Sequence, residues 1–114
     1  MKNQINKFLA RSKYNSKITS YNGRNYHSTL ECSYAQQLDW LIKAKEIREW
    51  IPQFKLELRV NDRHISNYFV DFKVIYCDGH IEYHEVKGFE TDTWKIKWEL
   101  SKALFPDNVF VLIK

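Results

Sequence analysis

Two acidic residues and a lysine occur at a spacing that suits metal-assisted chemistry on phosphate. Asp71 lies in one run of β-forming residues, Glu85 and Lys87 lie in the next, and Asp78-Gly79 separates the two runs. Runs rich in aromatic and β-branched residues that meet at Asp-Gly predict a β-hairpin. The length of its loop decides which side chains share a face, because a shift of one residue moves every side chain of a strand to the other face.

Two loop lengths are compatible with this stretch. A two-residue turn at 78–79 would put Asp71 and Glu85 on opposite faces of the hairpin. A three-residue loop at 77–79, with its glycine in the left-handed conformation, sets Asp71 directly across from Glu85 and puts Lys87 on the same face. Carboxylates directly opposite each other on a sheet repel, at a cost of roughly 0.2–1 kcal/mol. The second register therefore predicts a cation between the two acids.

A divalent metal ion is the simplest such cation. Mg²⁺ binds one or two carboxylates together with waters and phosphate oxygens, and Asp71, Glu85 and the carbonyl of Val86 would offer an open site of that kind. Mn²⁺ is expected to substitute for Mg²⁺. Lys87 would stabilise charge on a reacting phosphate or orient the attacking water. The alternative is a solvent-facing strand pair with ordinary mixed charges, in which Glu85 neighbours Lys73 and Lys87.

The pattern Val70-Asp71 followed by Glu85-Val86-Lys87 resembles the PD-(D/E)XK nuclease superfamily, in particular its small phage-encoded members and, more distantly, Holliday-junction resolvases. Valine stands here where the superfamily name has proline. The resemblance implies a Mg²⁺-dependent DNA endonuclease with Asp71, Glu85, Lys87 and Glu31 as catalytic residues. It also implies a phage setting, with branched or recombination-intermediate DNA as the substrate and the host cytoplasm as the location.

Glu31 belongs to a predicted helix upstream of the hairpin. Ser28-Thr-Leu-Glu31 has the capping-box pattern, and the helix is expected to run to about Lys45. Glu31 lies near the middle of the apolar stripe of this helix rather than on its polar side. The stripe consists of Leu30, Tyr34, Ala35, Leu38, Leu41 and Ile42. From the pattern Glu31 is either a helix cap alone or, as the resemblance implies, an additional acid near the metal.

The remaining pattern predicts an α/β fold with a mixed sheet. A hairpin is expected at Asn22-Gly23, residues 46–52 should close the first helix, and 53–60 should form a half-buried strand. A second helix, capped at 91–93, precedes an apolar strand at 109–113 that should be buried on both faces and run parallel to the strand carrying Glu85. The resulting order, α-β-β-β-α-β with helices flanking the sheet, is the restriction-endonuclease-like core that the resemblance implies.

Basic residues are concentrated at the start of the chain. Six of the 18 lysines and arginines precede the first acidic residue, Glu31, which leaves 12 against 14 acidic residues in the rest. We therefore divide the 114-residue chain into a basic arm, 1–17, and a single nuclease-like domain, 18–114. The arm suits contact with a phosphate backbone, or else merely keeps the chain in solution. The expected DNA contacts are Lys7, Arg11, Lys13, Lys17 and Arg24, with Lys95 and Lys97 on the second helix.

Other residue types argue mainly against alternatives. Cys32 and Cys77 form no metal or disulfide motif, which favours free thiols in a reducing cytoplasm. No run of 18 apolar residues predicts a membrane span. His64, His80 and His84, three of the four histidines, lack metal-ligand spacing and are expected on the surface or on a strand face, where His84 would be available to contact DNA.

Trp94, Trp98 and Phe105 form a second apolar stripe on the later helix, nearly opposite the stripe containing Ile96 and Leu100. The arm, a second subunit or nucleic acid would cover it, unless it is ordinary core buried by the N-terminal ribbon. A homodimer is expected, because cutting two strands symmetrically needs two active sites. Two other functions compete with the nuclease: a non-catalytic nucleic-acid-binding module that keeps the fold, and an interaction protein that docks through the two tryptophans.

Overall fold

The structure is a computed structural model that describes residues 19–114. The described chain divides into two compact units, with residues up to Trp40 in the first and Leu41–Lys114 in the second. The predicted boundary at residue 17 lies outside the described residues.

The first unit contains a short β-ribbon and most of the first helix. Strands β1 (Thr19–Tyr21) and β2 (Arg24–Tyr26) pair antiparallel. Asn22 and Gly23 both have positive φ, 52° and 80°, as a type I′ turn requires, so the predicted hairpin is confirmed. The ribbon is tied to helix α1 (Thr29–Lys43) by a 2.6 Å hydrogen bond from the Tyr21 hydroxyl to Asp39.

The end of α1 sets where the sheet begins. Lys45 adopts φ 62°, its N–H donates to the carbonyl of Ile42 at 3.0 Å, and the N–H of Glu46 donates to that of Leu41, also at 3.0 Å. These two bonds are the Schellman arrangement that ends a helix. The chain then enters strand β3 (Ile47–Val60) at once, so the expectation that residues 46–52 close the helix is wrong.

The second unit is a mixed four-stranded sheet with one helix. After β3 come β4 (Arg63–Tyr76), β5 (Ile81–Val86), α2 (Asp92–Leu104) and β6 (Val109–Ile113). The strand order is β3-β4-β5-β6, with the first three antiparallel and β6 parallel to β5. The predicted α-β-β-β-α-β order and the mixed sheet are confirmed. Because β3 is an edge strand, it tolerates Pro52, which has no N–H to donate to a neighbour.

Strand β6 differs from its prediction. It lies at the other edge of the sheet, four of its five residues are half-buried, and the fifth, Val109, is 48% exposed. An apolar sequence was expected to be buried on both faces, but an edge position leaves one side of the strand without a neighbour.

The core of the second unit forms where α2 packs on the sheet. Its buried members are Leu56, Leu58, Tyr68, Val70, Tyr83, Trp94 and Trp98. Tyr68 and Phe110 each meet Trp98 edge to face, at 6.5 and 5.5 Å between ring centroids. Trp94 and Trp98 are thus the packing face of α2, whereas Ile96 on its other side is 68% exposed.

The prediction that the tryptophan stripe needs an outside partner is therefore wrong. Trp94 and Trp98 are only 6% and 7% exposed and contact their own sheet. They cannot serve as the docking surface of an interaction protein, and a homodimer would need a different surface. The first helix also departs from its expected stripe, since Leu30 is 42% exposed and Cys32 is buried instead.

We expect Trp98→Ala to lower the free energy of unfolding by about 3–5 kcal/mol, because it removes a buried aromatic side chain and leaves a cavity. Ile96→Ala, two positions away, should change it by less than about 0.5 kcal/mol because the side chain is exposed. Urea unfolding of both variants measures the difference. A larger loss from Ile96→Ala would contradict the assignment of the packing face.

Candidate active site

The β4–β5 hairpin has the register that brings the predicted acids together. Its paired residues run from Ile75 opposite Ile81 to Phe72 opposite His84. The loop that joins them is three residues long and is closed by a 3.0 Å bond from the Tyr76 N–H to the His80 carbonyl, with Gly79 at φ 95°. Extended by one position, the same register sets Asp71 opposite Glu85. The three-residue loop predicted from the sequence is confirmed.

At Asp71 and Glu85, carboxylates replace the backbone carbonyls as hydrogen-bond acceptors. The Asp71 N–H donates to Glu85 Oε1 at 3.2 Å, and the Val86 N–H donates to Asp71 Oδ2 at 2.9 Å. Both acids are buried, at 8% and 4% exposure. A buried N–H must find an acceptor. This exchange provides one for the N–H groups of Asp71 and Val86 and at the same time fixes the two carboxylates side by side.

Gln53 lies on the other side of Asp71 from Glu85. Strand β3 pairs Pro52 with Phe72 and Phe54 with Val70, so Gln53 is the residue opposite Asp71. Its φ is 49°, in the left-handed region, and its side-chain amide donates to Asp71 Oδ1 at 3.1 Å. Left-handed backbone at a residue other than glycine costs free energy and is often found at functional sites.

Gln53 was not among the predicted site residues, because the strand was predicted to begin at this residue. The available signal was Pro52, since a proline inside a strand marks an irregular position.

Glu85 carries a raised pKa. Burial is the main cause and the nearby charge of Asp71 adds to it, raising the pKa of Glu85 to about 7. Hydrogen bonds from the Tyr68 hydroxyl and the Asp71 N–H, and the charge of Lys87, act in the opposite direction. Burial, and then the charge of Glu85, raise the pKa of Tyr68. The Tyr68 hydroxyl therefore stays protonated and donates a hydrogen bond to the Glu85 carboxylate.

Lys87 lies next to the acid pair, as the register predicted. Its Nζ is 3.9 Å from Glu85 Oε2 and 5.3 Å from the centroid of the Trp94 ring. The N–H of Lys87 donates to the carbonyl of Ile113 at 2.9 Å, which fixes the backbone of the lysine against β6. The site thus combines residues from β3, β4, β5 and α2.

The other predicted site residues lie elsewhere or have different contacts. Val86 contributes its N–H to Asp71. Glu31 is buried in the first turn of α1, in the first unit, and its N–H donates to the Ser28 hydroxyl at 3.0 Å. The Ser28 half of the predicted capping box is confirmed, and a role of Glu31 at a metal remains a prediction.

Among the predicted DNA contacts, Arg24 and Lys95 are exposed. Lys97 is half-buried, with its Nζ 3.4 Å from the Asn67 carbonyl. The other four, Lys7, Arg11, Lys13 and Lys17, lie outside the described residues.

His84 is not at the surface. It is 5% exposed, and its Nε2 lies 2.8 Å from Glu82 Oε1. Burial is the main influence on this ring and lowers the pKa of His84. The expectation that His84 is available to DNA is therefore wrong, while His64 and His80 are exposed as predicted.

The chemistry of the donors determines which cation the site could hold. Among residues 19–114, no group of three or more His, Cys, Asp or Glu side chains is arranged to hold a metal ion. Asp71 and Glu85 supply only oxygen atoms, which suits a hard cation such as Mg²⁺ that completes its coordination with water and phosphate. Their mutual repulsion, which contributes to the raised pKa of Glu85, is what a bound cation would relieve. The pair therefore fits Mg²⁺ or Mn²⁺.

Fold and site together define a small α/β protein with an acid–acid–lysine cluster on its central hairpin. The chain belongs to the DUF1064 family, because the family model described as "Protein of unknown function (DUF1064)" matches residues 11–114. No curated protein and no solved structure matches the chain. Within the described residues, no helix is both long and apolar enough to cross a membrane.

The raised pKa of Glu85 predicts how stability depends on pH. In the unfolded chain Glu85 loses its proton near pH 4.5, but in the folded protein only near pH 7. The folded state therefore binds the proton more tightly, and the free energy of unfolding falls as the pH rises through this interval. Glu85→Gln removes the ionisation, so the variant should match wild type near pH 4.5 and be more stable at pH 8, by up to roughly 3 kcal/mol.

Urea unfolding at intervals between pH 4.5 and 8, with chelator present, measures this difference. Glu49→Gln, which removes an exposed carboxylate from β3, serves as the control. A Glu85→Gln variant that is less stable than wild type at pH 8 would contradict the conclusion that burying this charge is unfavourable.

Proposed function

We propose that this protein is a metal-dependent DNA endonuclease of PD-(D/E)XK type, hydrolysing phosphodiester bonds in branched or recombination-intermediate DNA. The observation that carries the proposal is the reciprocal hydrogen bonding of Asp71 and Glu85 with Lys87 beside them. The α-β-β-β-α-β order, with both motif strands in one hairpin, is the order that the superfamily resemblance implies and supports the proposal. A phage origin and action in the host cytoplasm belong to the same proposal.

The two acids would hold Mg²⁺, or Mn²⁺ in its place. Gln53 and the Val86 N–H fix the two oxygens of Asp71, while the Asp71 N–H and the Tyr68 hydroxyl fix Glu85. Fixed ligands lose little freedom when a cation binds. The carbonyl of Val86 would be a third oxygen donor, because in an extended strand it lies on the same side as the N–H that faces Asp71. When bound, the cation would lower the pKa of water and stabilise charge on phosphate.

Lys87 would provide the fixed positive charge of the site. Its ammonium group lies beside Glu85 and 27% of its side chain is exposed, so a phosphate oxygen could reach it from solvent. A preorganised cation is most effective where negative charge grows in the transition state, which for phosphodiester hydrolysis is on the phosphate oxygens. Lys87 would bind one of these oxygens or hold the attacking water through a hydrogen bond.

DNA would be held by positive charge elsewhere on the chain. The first thirty residues carry six basic and no acidic side chains, whereas the acid pair by itself repels a polyanion. Lys7, Arg11, Lys13, Lys17 and Arg24 would contact phosphates, together with Lys95 and Lys97 on α2.

Glu31 would assist the metal. Two copies of the chain would be needed to cut both strands symmetrically.

The alternative is a non-catalytic nucleic-acid-binding module. The basic N-terminal segment suits this function equally well. The buried acid pair does not, because two carboxylates in the core repel DNA and destabilise the fold without helping to bind it.

We expect wild type to cleave plasmid or a four-way DNA junction in Mg²⁺ and to be inactive with chelator. Asp71→Asn should abolish cleavage, and Lys87→Ala should lower its rate by roughly 10²–10³-fold, because it removes one preorganised charge. Asp62→Asn is the matched control for the acid, since Asp62 lies in the β3–β4 turn at φ 64°, a conformation that asparagine tolerates. Lys55→Ala, on the exposed face of β3, is the control for the lysine.

Gel assays with intact, nicked and branched substrates measure the rates, and circular dichroism checks the fold of each variant. DNA binding by wild type without any Mg²⁺-dependent cleavage would favour the non-catalytic module. Full activity of Asp71→Asn would exclude this site as the catalytic centre.

A further inference from the structure

Trp94 is fixed at the start of α2, directly beside the site. The hydroxyl of Thr91 accepts a hydrogen bond from the backbone N–H of Trp94 at 3.1 Å and caps the helix. The Trp94 ring stacks on Trp98 at 5.4 Å between centroids. These contacts leave the Trp94 side chain few alternative positions, so whatever its edge and its face touch is held in place.

The edge of the Trp94 ring acts on Glu85 through Tyr68. The indole N–H donates to the Tyr68 hydroxyl at 3.0 Å, and that hydroxyl donates to the Glu85 carboxylate. A tyrosine hydroxyl has only one proton to donate. Because its lone pair receives the indole N–H, its proton is directed towards Glu85, and both the hydroxyl and the carboxylate take a defined orientation.

The face of the same ring acts on Lys87. The distance of 5.3 Å from Nζ to the ring centroid is within the range of a cation–π interaction. The ion pair of Lys87 with Glu85, at 3.9 Å, is too long for a hydrogen bond and so does not fix the ammonium group by itself. The ring therefore limits where the lysine can go.

We propose that Trp94 is a positioning residue of the site, which orients Glu85 through the Tyr68 hydroxyl and holds Lys87 against its ring. This inference rests on the proposed function, because it treats Glu85 as a cation ligand. The proposed role distinguishes Trp94 from Trp98. Trp98 packs in the same core, but the hydrogen bond to the Tyr68 hydroxyl and the ring contact with Lys87 belong to Trp94. Residues that orient a metal ligand from behind typically contribute 10–100-fold to metal affinity or activity.

The test uses changes that keep most of the packing. Trp94→Phe keeps an aromatic ring but removes the indole N–H, and Tyr68→Phe removes the hydroxyl. Trp98→Phe is the matched control, since it makes the same change one helical turn away. For each variant, and for the Trp94→Phe, Tyr68→Phe double variant, calorimetry measures Mn²⁺ affinity without DNA, and steady-state cleavage measures kcat and KM.

We expect Trp94→Phe and Tyr68→Phe each to weaken Mn²⁺ binding and to lower kcat by about 10-fold or more, with little change in KM for DNA. The double variant should be no worse than Tyr68→Phe in Mn²⁺ affinity, because both changes break the same chain of hydrogen bonds to Glu85. Trp98→Phe keeps an aromatic ring for Trp94 to stack on and has no hydrogen bond to lose at Glu85, so it should stay within about 2-fold of wild type in both measurements, even if its melting temperature falls.

Wild-type values for Trp94→Phe, or an equal loss for Trp98→Phe, would overturn the proposal, as would losses in Mn²⁺ affinity that multiply in the double variant. A wild type that binds Mn²⁺ but cleaves no DNA would refute the nuclease function alone, and the affinities would still test the positioning role. A wild type that binds no Mn²⁺ would overturn both.

Discussion

Two hydrogen bonds join β4 and β5 at Asp71 and Glu85, and in both the acceptor is a carboxylate. The N–H of Asp71 bonds to Glu85, and the N–H of Val86 bonds to Asp71, so each acid satisfies the backbone of the opposite strand. Ordinary ladder bonds would leave the acids free to turn away from each other. Here these two hydrogen bonds persist only if the two carboxylates stay inside, close enough for the charge of Asp71 to help raise the pKa of Glu85.

The side chains of strand β3 change from one face of the sheet to the other beside Asp71. Trp50 contacts Phe72, whereas Phe54 contacts Lys73 and Tyr83. Phe72 and Lys73 are consecutive in a strand and point to opposite faces, so the side chains of β3 change face between Trp50 and Phe54. The left-handed residue Gln53 lies at this change of face and directs its amide to Asp71. The same irregularity therefore lets β3 cover both faces and supplies a donor to the site.

The sequence predicted those features that depend on local geometry. The loop at 77–79 needs a left-handed residue, and Gly79 provides it, so the register that joins Asp71 to Glu85 was one of the two that the sequence allowed. The Asn22-Gly23 turn and the helix start at Ser28 were predictable for the same reason. The start of β3 was not predictable, because α1 ends at Lys43 and the turn into β3 depends on a left-handed conformation at Lys45, which a lysine rarely adopts.

Features that depend on packing were beyond the sequence. Helix α2 has two apolar stripes, and periodicity cannot tell which one faces the sheet; the Tyr68 hydroxyl that receives the Trp94 N–H helps to decide it. The edge position of β6 depends on the order of all four strands. The contact of Gln53 with Asp71 likewise requires two strands in register, so neither residue alone reveals it.

If Asp71 and Glu85 together form a cation site, Mn²⁺ titration of isotope-labelled protein followed by NMR should locate the ion between them. Because Mn²⁺ broadens the signals of nuclei near it, the backbone amides of Asp71 and Val86 and the side-chain amide of Gln53 should disappear first. Excess Mg²⁺ should restore them, and Asp71→Asn should not show the effect. Broadening confined to other residues, such as Asp78 to Glu82 in the hairpin loop, or no broadening at all, would show that Asp71 and Glu85 do not form a cation site.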